Sequence, residues 1–144
     1  MWSAARGTAL ALLKGHEVTV ARLFPASGPA SYDSARAAIV GADIGLFAVA
    51  VRAREGVGSV AMPQALAQLI GGMRTPSILV SFGSPYIISQ APSVPGYLLA
   101  WTATTQAEEA VAAAFGGAAI TGKLPVSIPP TFKIGDGLAS GRTP

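Results

Sequence analysis

Ile44-Gly45-Leu46-Phe47-Ala48-Val49-Ala50-Val51 is an unbroken apolar run with no charge and no proline. It is too short for an ordinary helix, and its Phe and Val content suits a strand buried on both faces of a parallel sheet. Ser77–Phe82, "SILVSF", repeats the pattern, and Tyr97–Trp101 predicts a further strand. Between them lie a predicted helix over Pro63–Met73, with proline at its first position, and a short helix opened by Ser84-Pro85. Proline suits a helix start because the N–H it lacks has no partner there anyway. Working outward, "EVTVARLF" over Glu17–Phe24 predicts a strand closed by Pro25, and Tyr32–Val40 a helix ending at Gly41. A first helix is predicted over Ser3–Lys14 with Gly15 as its stop, and a last one over Gln106–Phe115.

Strands alternating with helices predict an α/β fold: a three-layer sandwich with a mostly parallel sheet, flanked by helices and joined by right-handed crossovers. Doubly wound folds usually begin on a strand, so a chain opening on a helix is expected to lack the first strand of its sheet. Residues 1–138 are expected to form one domain, and the Gly/Ser/Pro ending over 139–144 reads as a tail or linker.

Composition excludes several classes. The chain of 144 residues is 51% hydrophobic and 12% charged, which predicts a packed core rather than disorder. Its net charge of +3 comes from ten scattered Lys and Arg, with no basic stripe of the kind that grips nucleic acid. No apolar stretch reaches the length of a membrane span, and Lys14 interrupts the only signal-like run. A soluble protein is expected, bacterial and either cytoplasmic or exported as part of a longer chain. The absence of Cys removes disulfides, thiolate metal sites and thiol nucleophiles. The single His16 has no cluster of ligands around it in sequence, so neither a metal nor a cofactor is expected.

The candidate chemistry is sparse. Gly56-Val57-Gly58-Ser59-Val60-Ala61 fits the permissive dinucleotide fingerprint, yet Met62-Pro63 delays the helix whose amides would face a pyrophosphate. Ser84 lies just past a strand, where a nucleophile could sit, but "SFGSPY" is not a nucleophile elbow and serine before proline suits a helix cap. Asp33 is placed at a helix start, where the dipole favours a carboxylate. Glu108 and Glu109 are adjacent on a helix, so they diverge and read as a solvated face rather than an acid/base pair. Arg52, Arg54 and Glu55 collect beyond the predicted strand over 44–51, at the edge where open α/β sheets bind ligands. Two flanking arginines would hold the Glu55 carboxyl low, which suits an ion pair better than a general acid. With Ser84 and Trp101 these three residues form the expected substrate- or partner-facing loops.

The ordered succession "REGVGSVAMPQALAQLI", "PSILVSFGSPYIISQAPSVPGYLLAW", "EEAVAAAFGGAAITGKLPVSIP" resembles the C-terminal α/β sandwich domain of family 3 glycoside hydrolases, most of all the bacterial β-N-acetylhexosaminidases. The likeness runs from about Glu17 to Leu138, with Gly122-Lys123-Leu124-Pro125-Val126 fitting the family's closing signature. On that likeness "ITGKLPVSIP" is expected to be the last edge element of the domain, its prolines limiting further pairing. The resemblance implies that the nucleophilic Asp sits in a separate (β/α)8 barrel, which takes roughly 250 residues and has no room here. In β-glucosidase-type members a Glu from a loop of this second domain acts as the acid. Glu55 lies in the comparable but shorter loop and is only a weak catalytic candidate.

The expected function is therefore that of an accessory domain of a β-N-acetylhexosaminidase-type glycosidase, catalytically incomplete alone. Its expected partners are a catalytic barrel or a second copy of itself, with an amino sugar as ligand and neither nucleic acid nor membrane. Phe82, Tyr86 and Trp101 are expected to mark its apolar interface. The alternatives are a free-standing carbohydrate- or protein-binding module and a small nucleotide-binding protein.

Overall fold

The computed structural model describes residues 16–51 and 61–139. The chain divides into two compact units, one of them Thr19–Ala103 and the other containing the described residues 16–18 and 104–139.

The first unit carries a three-stranded parallel sheet in the order β1 (Gly45–Val49), β2 (Ser77–Ser81), β3 (Gly96–Leu99). Helix α1 (Pro29–Val40) leads into β1, α2 (Gln64–Gly71) lies in the crossover to β2, and a 3-10 helix over Pro85–Gln90 lies in the crossover to β3. Parallel neighbours require such crossovers, because a tight hairpin can only join antiparallel strands. The α/β class read from the apolar runs is the class of this unit.

Helix α1 starts at Pro29, three residues before the predicted Tyr32, with proline in the first turn and Gly41 closing the other end. The earlier start moves Asp33 out of the first turn, which contains no acidic residue, so the expected dipole pairing does not arise. Helix α2 begins after Pro63, which takes extended backbone at the cap position rather than the first helical position, and ends at Gly72. The two helices touch each other.

β2 is the core of the unit. Leu79 and Val80 point to opposite faces of the sheet and both are fully buried. Burying each side chain stabilises the fold by about 2–3 kcal/mol. The edge strand β1 differs. Gly45, Phe47 and Val49 are buried on one face, but Ala48 on the other is exposed, so the expectation of burial on both faces fails there. The Gly45 N–H donates to the Pro76 carbonyl at 2.8 Å and the Phe82 N–H to the Val49 carbonyl at 2.8 Å. In a parallel ladder alternate residues bond to opposite sides, so Leu46 and Ala48 turn their backbone groups away from β2. Gly45 itself is dictated by packing: a Cβ there would lie 2.8 Å from the Ser77 hydroxyl and 3.2 Å from the Ile39 side chain at the end of α1.

The predicted strand over Glu17–Phe24 is a correction. Those residues form no strand, and Val20 and Phe24 are about half exposed. Alternating valines supply strand propensity, but a strand needs a ladder partner, and none is present among the described residues.

In the second unit, α3 (Thr105–Phe115) is capped by Thr104, whose hydroxyl accepts from the Ala107 N–H at 3.3 Å. The predicted edge element "ITGKLPVSIP" is not a sheet strand. The Leu124 N–H donates to the Asp136 carbonyl, the Gly135 N–H to the Leu124 carbonyl, and Ile128 forms a single antiparallel bridge with Phe132. The loop thus bonds to itself around the fully buried Ile128. Pro125, Pro129 and Pro130 offer no N–H, so a continuous ladder is chemically barred there.

Candidate functional site

The three strands end together at the carboxyl edge of the sheet, where open α/β folds take their ligands. Arg52, Arg54 and Glu55, expected to gather at this edge after β1, lie outside the described residues, as do Gly56 and Gly58 of the fingerprint-like run. The ends of β2 and β3 are fully described and behave in opposite ways.

Beyond β2 the chain turns through Phe82-Gly83-Ser84. Phe82 is 3% exposed and belongs to the core, which corrects its expected place in an interface. Gly83 is pressed against the end of β1: a Cβ would stand 2.8 Å from the Val51 carbonyl oxygen, so only glycine fits without a shift. The buried Ser81 hydroxyl donates to the Ser84 carbonyl at 2.8 Å. The Ser84 hydroxyl accepts from the Tyr86 N–H at 3.3 Å and caps the 3-10 helix, the role its place before proline predicts. From β3 the Tyr97 hydroxyl reaches across to donate to the Pro85 carbonyl at 2.9 Å. Burial pushes that phenol up to about 12, against a smaller downward pull from the Ser81 hydroxyl. It therefore stays protonated at neutral pH and holds the loop as a donor; it is no base.

β3 ends without such ties. Ala100 is still held in the ladder, its N–H donating to the Ser81 carbonyl at 2.8 Å. The next residue, Trp101, has φ 60°. The Thr102 N–H closes back on the Ala100 carbonyl at 2.7 Å. A two-residue closure about a positive φ is the strained form of the γ-turn, rare even for small residues. For a bulky side chain such a conformation costs about 1–3 kcal/mol. Trp101 is nevertheless 45% exposed, and Tyr86, just past Ser84, is 50% exposed. Both were legible as aromatic; the turn was not, because tryptophan carries none of the glycine or asparagine signals that announce positive φ.

The part of the edge that follows β2 and β3 carries no charged side chain. Residues 75–107 contain no Asp, Glu, Lys, Arg or His, so everything from the start of β2 through the end of β3 is neutral. In the second unit, Glu108 is buried rather than solvated, and burial, reinforced by the charge of Glu109, raises its pKa. It shares a helix face with the buried Val111, three residues on, while Glu109 points elsewhere and is exposed.

Two other features have no built chemistry. An open groove of about 290 Å³ runs between α1 and α2, lined by Tyr32, Asp33, Arg36 and Gln68 among others. It falls at the lower limit of ligand-pocket size, and none of its polar lining residues is buried. Among the described residues no three His, Asp or Glu converge as metal ligands, and no helix is long and apolar enough to cross a membrane. No family model, curated protein or solved structure matches the chain.

Proposed function

We propose that this chain is the accessory α/β domain of a two-domain glycosidase of the family 3, β-N-acetylhexosaminidase type, and that it is catalytically incomplete alone. The observation that carries the reading is the ordered set of segments from Glu17 to Leu138, ending in Gly122-Lys123-Leu124-Pro125-Val126. The parallel β1-β2-β3 order agrees with it, since consecutive βα units are what those segments require.

In the assembled enzyme the carboxyl edge borders the substrate cleft of a catalytic barrel. Hydrolysis of a glycoside needs two carboxyl groups flanking the scissile bond. The described part of the edge supplies none, because residues 75–107 carry no carboxylate. The nucleophile and the acid therefore come from the barrel, with Glu55 a weak candidate for any contribution from this chain. Arg52 and Arg54 beside it serve the same partner-facing loop. Among the described residues β1 has no strand on its outer side, and with exposed Val40 at the end of α1 and Ile44 just before β1 it offers a second surface for the rest of such an assembly or for self-association.

The test is association with a family 3 β-N-acetylhexosaminidase barrel expressed without its second domain. Analytical ultracentrifugation of the mixture is expected to give a one-to-one complex that sediments faster than either component. Independent sedimentation of the two at concentrations well above micromolar would refute the pairing.

A further inference from the structure

We propose that the outer edge of β1 receives the segment Thr19–Phe24 of a second copy of this chain, the two copies exchanging these segments reciprocally as antiparallel ladders. This goes beyond the glycosidase reading and does not rest on it.

Two parts of the same unit are suited to a sheet, and each lacks a neighbour in it. Half of Thr19-Val20-Ala21-Arg22-Leu23-Phe24 is β-branched or aromatic, the composition that fits a pleated surface. Yet every residue of it except Leu23 is exposed. Among the described residues, its backbone hydrogen bonds are only those of Phe24 with Ser27. β1 is the counterpart, with β2 on one side and, among the described residues, no strand on the other. Gly45 and Val49 bond towards β2, so Ile44, Leu46 and Ala48 turn their backbone groups outward. Ile44 and Ala48 are exposed as well. An edge of this kind is a template for strand addition.

Charge sets the register. Arg22 is the only charged residue in 18–32 and Asp43 the only one in 37–51, and both are exposed. Opposite charges directly across a ladder stabilise it, and like charges destabilise it. In an antiparallel ladder with Arg22 opposite Asp43, Ala21 faces Ile44, Val20 faces Gly45 and Thr19 faces Leu46. Ala21 and Thr19 then meet the outward backbone groups of Ile44 and Leu46. A parallel ladder with the same ion pair leaves only Leu23 and Phe24 along β1 before Pro25, which has no N–H. Phe24 is already bonded to Ser27. The direction is therefore antiparallel.

That direction selects the occupant. Within one chain, α1 lies between the segment and β1, and a helical crossover of this kind brings its flanking strands together in parallel. An antiparallel neighbour comes from another copy. Exchange about a two-fold axis covers both edges and closes the assembly.

The test is sedimentation equilibrium of the full chain, which is expected to dimerise at micromolar concentrations. Arg22→Asp and Asp43→Arg each create two like-charge pairs in the symmetric dimer, one on each ladder. Each is expected to weaken dimerisation at least about tenfold, the equivalent of about 1.4 kcal/mol. Both positions are exposed, so circular dichroism of the two variants is expected to match that of the unaltered chain. An equimolar mixture of the two variants sets opposite charges face to face on both ladders. It is expected to form a heterodimer of about the original affinity. A chain that stays monomeric even near millimolar concentration would overturn the exchange. So would a dimer indifferent to both reversals, or a mixture of the variants that fails to associate.

Discussion

The ends of β2 and β3 lie side by side in one sheet and are built on opposite principles. After β2, each polar group named above is tied down: Ser81 to Ser84, Ser84 to Tyr86, and Tyr97 from the next strand to Pro85. Gly83 seals that loop against β1. After β3 the backbone is strained at Trp101 and a large ring stands in water. The first end is scaffold, where satisfied hydrogen bonds and burial stabilise a single arrangement. The second retains an unfavourable backbone angle and exposed apolar area. The contrast is between a strand end tied by hydrogen bonds and burial and one that ends in a strained, part-exposed turn.

The sharpest way to break the contrast is through the scaffold. Leu79→Ala empties a fully buried site on the central strand and is expected to cost about 2–5 kcal/mol by denaturant unfolding. A loss below about 1 kcal/mol would mean that β2 is not the core of its unit. Gly83→Ala comes next. Its Cβ would meet the Val51 carbonyl at 2.8 Å, and the resulting shift of the loop is expected to cost about 1–3 kcal/mol. The same substitution should leave the Trp101 turn intact, since a Cβ at Gly83 meets the backbone of Val51.

Tyr97→Phe probes the tie between the two ends. Removing the hydroxyl leaves the Pro85 carbonyl without its donor and is expected to cost about 1 kcal/mol at neutral pH. The pH dependence has a definite sign. In the folded chain the phenol holds its proton up to about 12, against 10.0 when unfolded. The folded state therefore binds the proton more tightly, and stability falls as pH rises from 10.0 through about 12. The Phe variant should lose less stability across that window, measured by urea unfolding at several alkaline pH values. The smallest effect is expected at Val20→Ala. Val20 is half exposed in a segment without a strand partner among the described residues, so unfolding free energy should change by less than about 0.5 kcal/mol. A loss near that of Leu79→Ala would show that the segment is packed as a strand after all.

Much of the scaffold was legible in the sequence. The apolar runs located all three strands to within about two residues, the ordinary tolerance of element boundaries. The Ser-Pro pair announced the capped turn after β2. What a run such as "IGLFAVAV" does not contain is its neighbours. An edge strand and a central strand are equally apolar until the sheet order is known, so the exposure of Ala48 was not readable. The same limit undid Glu17–Phe24, where propensity was present and a ladder partner among the described residues was not. Glu108 and Glu109 differ only in helix phase, which two adjacent identical residues do not reveal. At the candidate site, aromatic identity and position after a strand were visible for Trp101, while its positive φ depends on how the chain leaves the sheet.

The central proposal is that this chain is part of a glycosidase and lacks the reaction when alone. The most direct test is hydrolysis of a chromogenic aryl N-acetyl-β-glucosaminide by the purified chain, assayed beside the same chain mixed with a family 3 barrel. The account predicts no turnover by the chain alone, and turnover in the mixture whose rate or thermal lifetime exceeds that of the barrel by itself. Turnover by the chain alone that survives purification and disappears in Glu55→Gln would contradict it, placing a working catalytic carboxylate in the loop after β1.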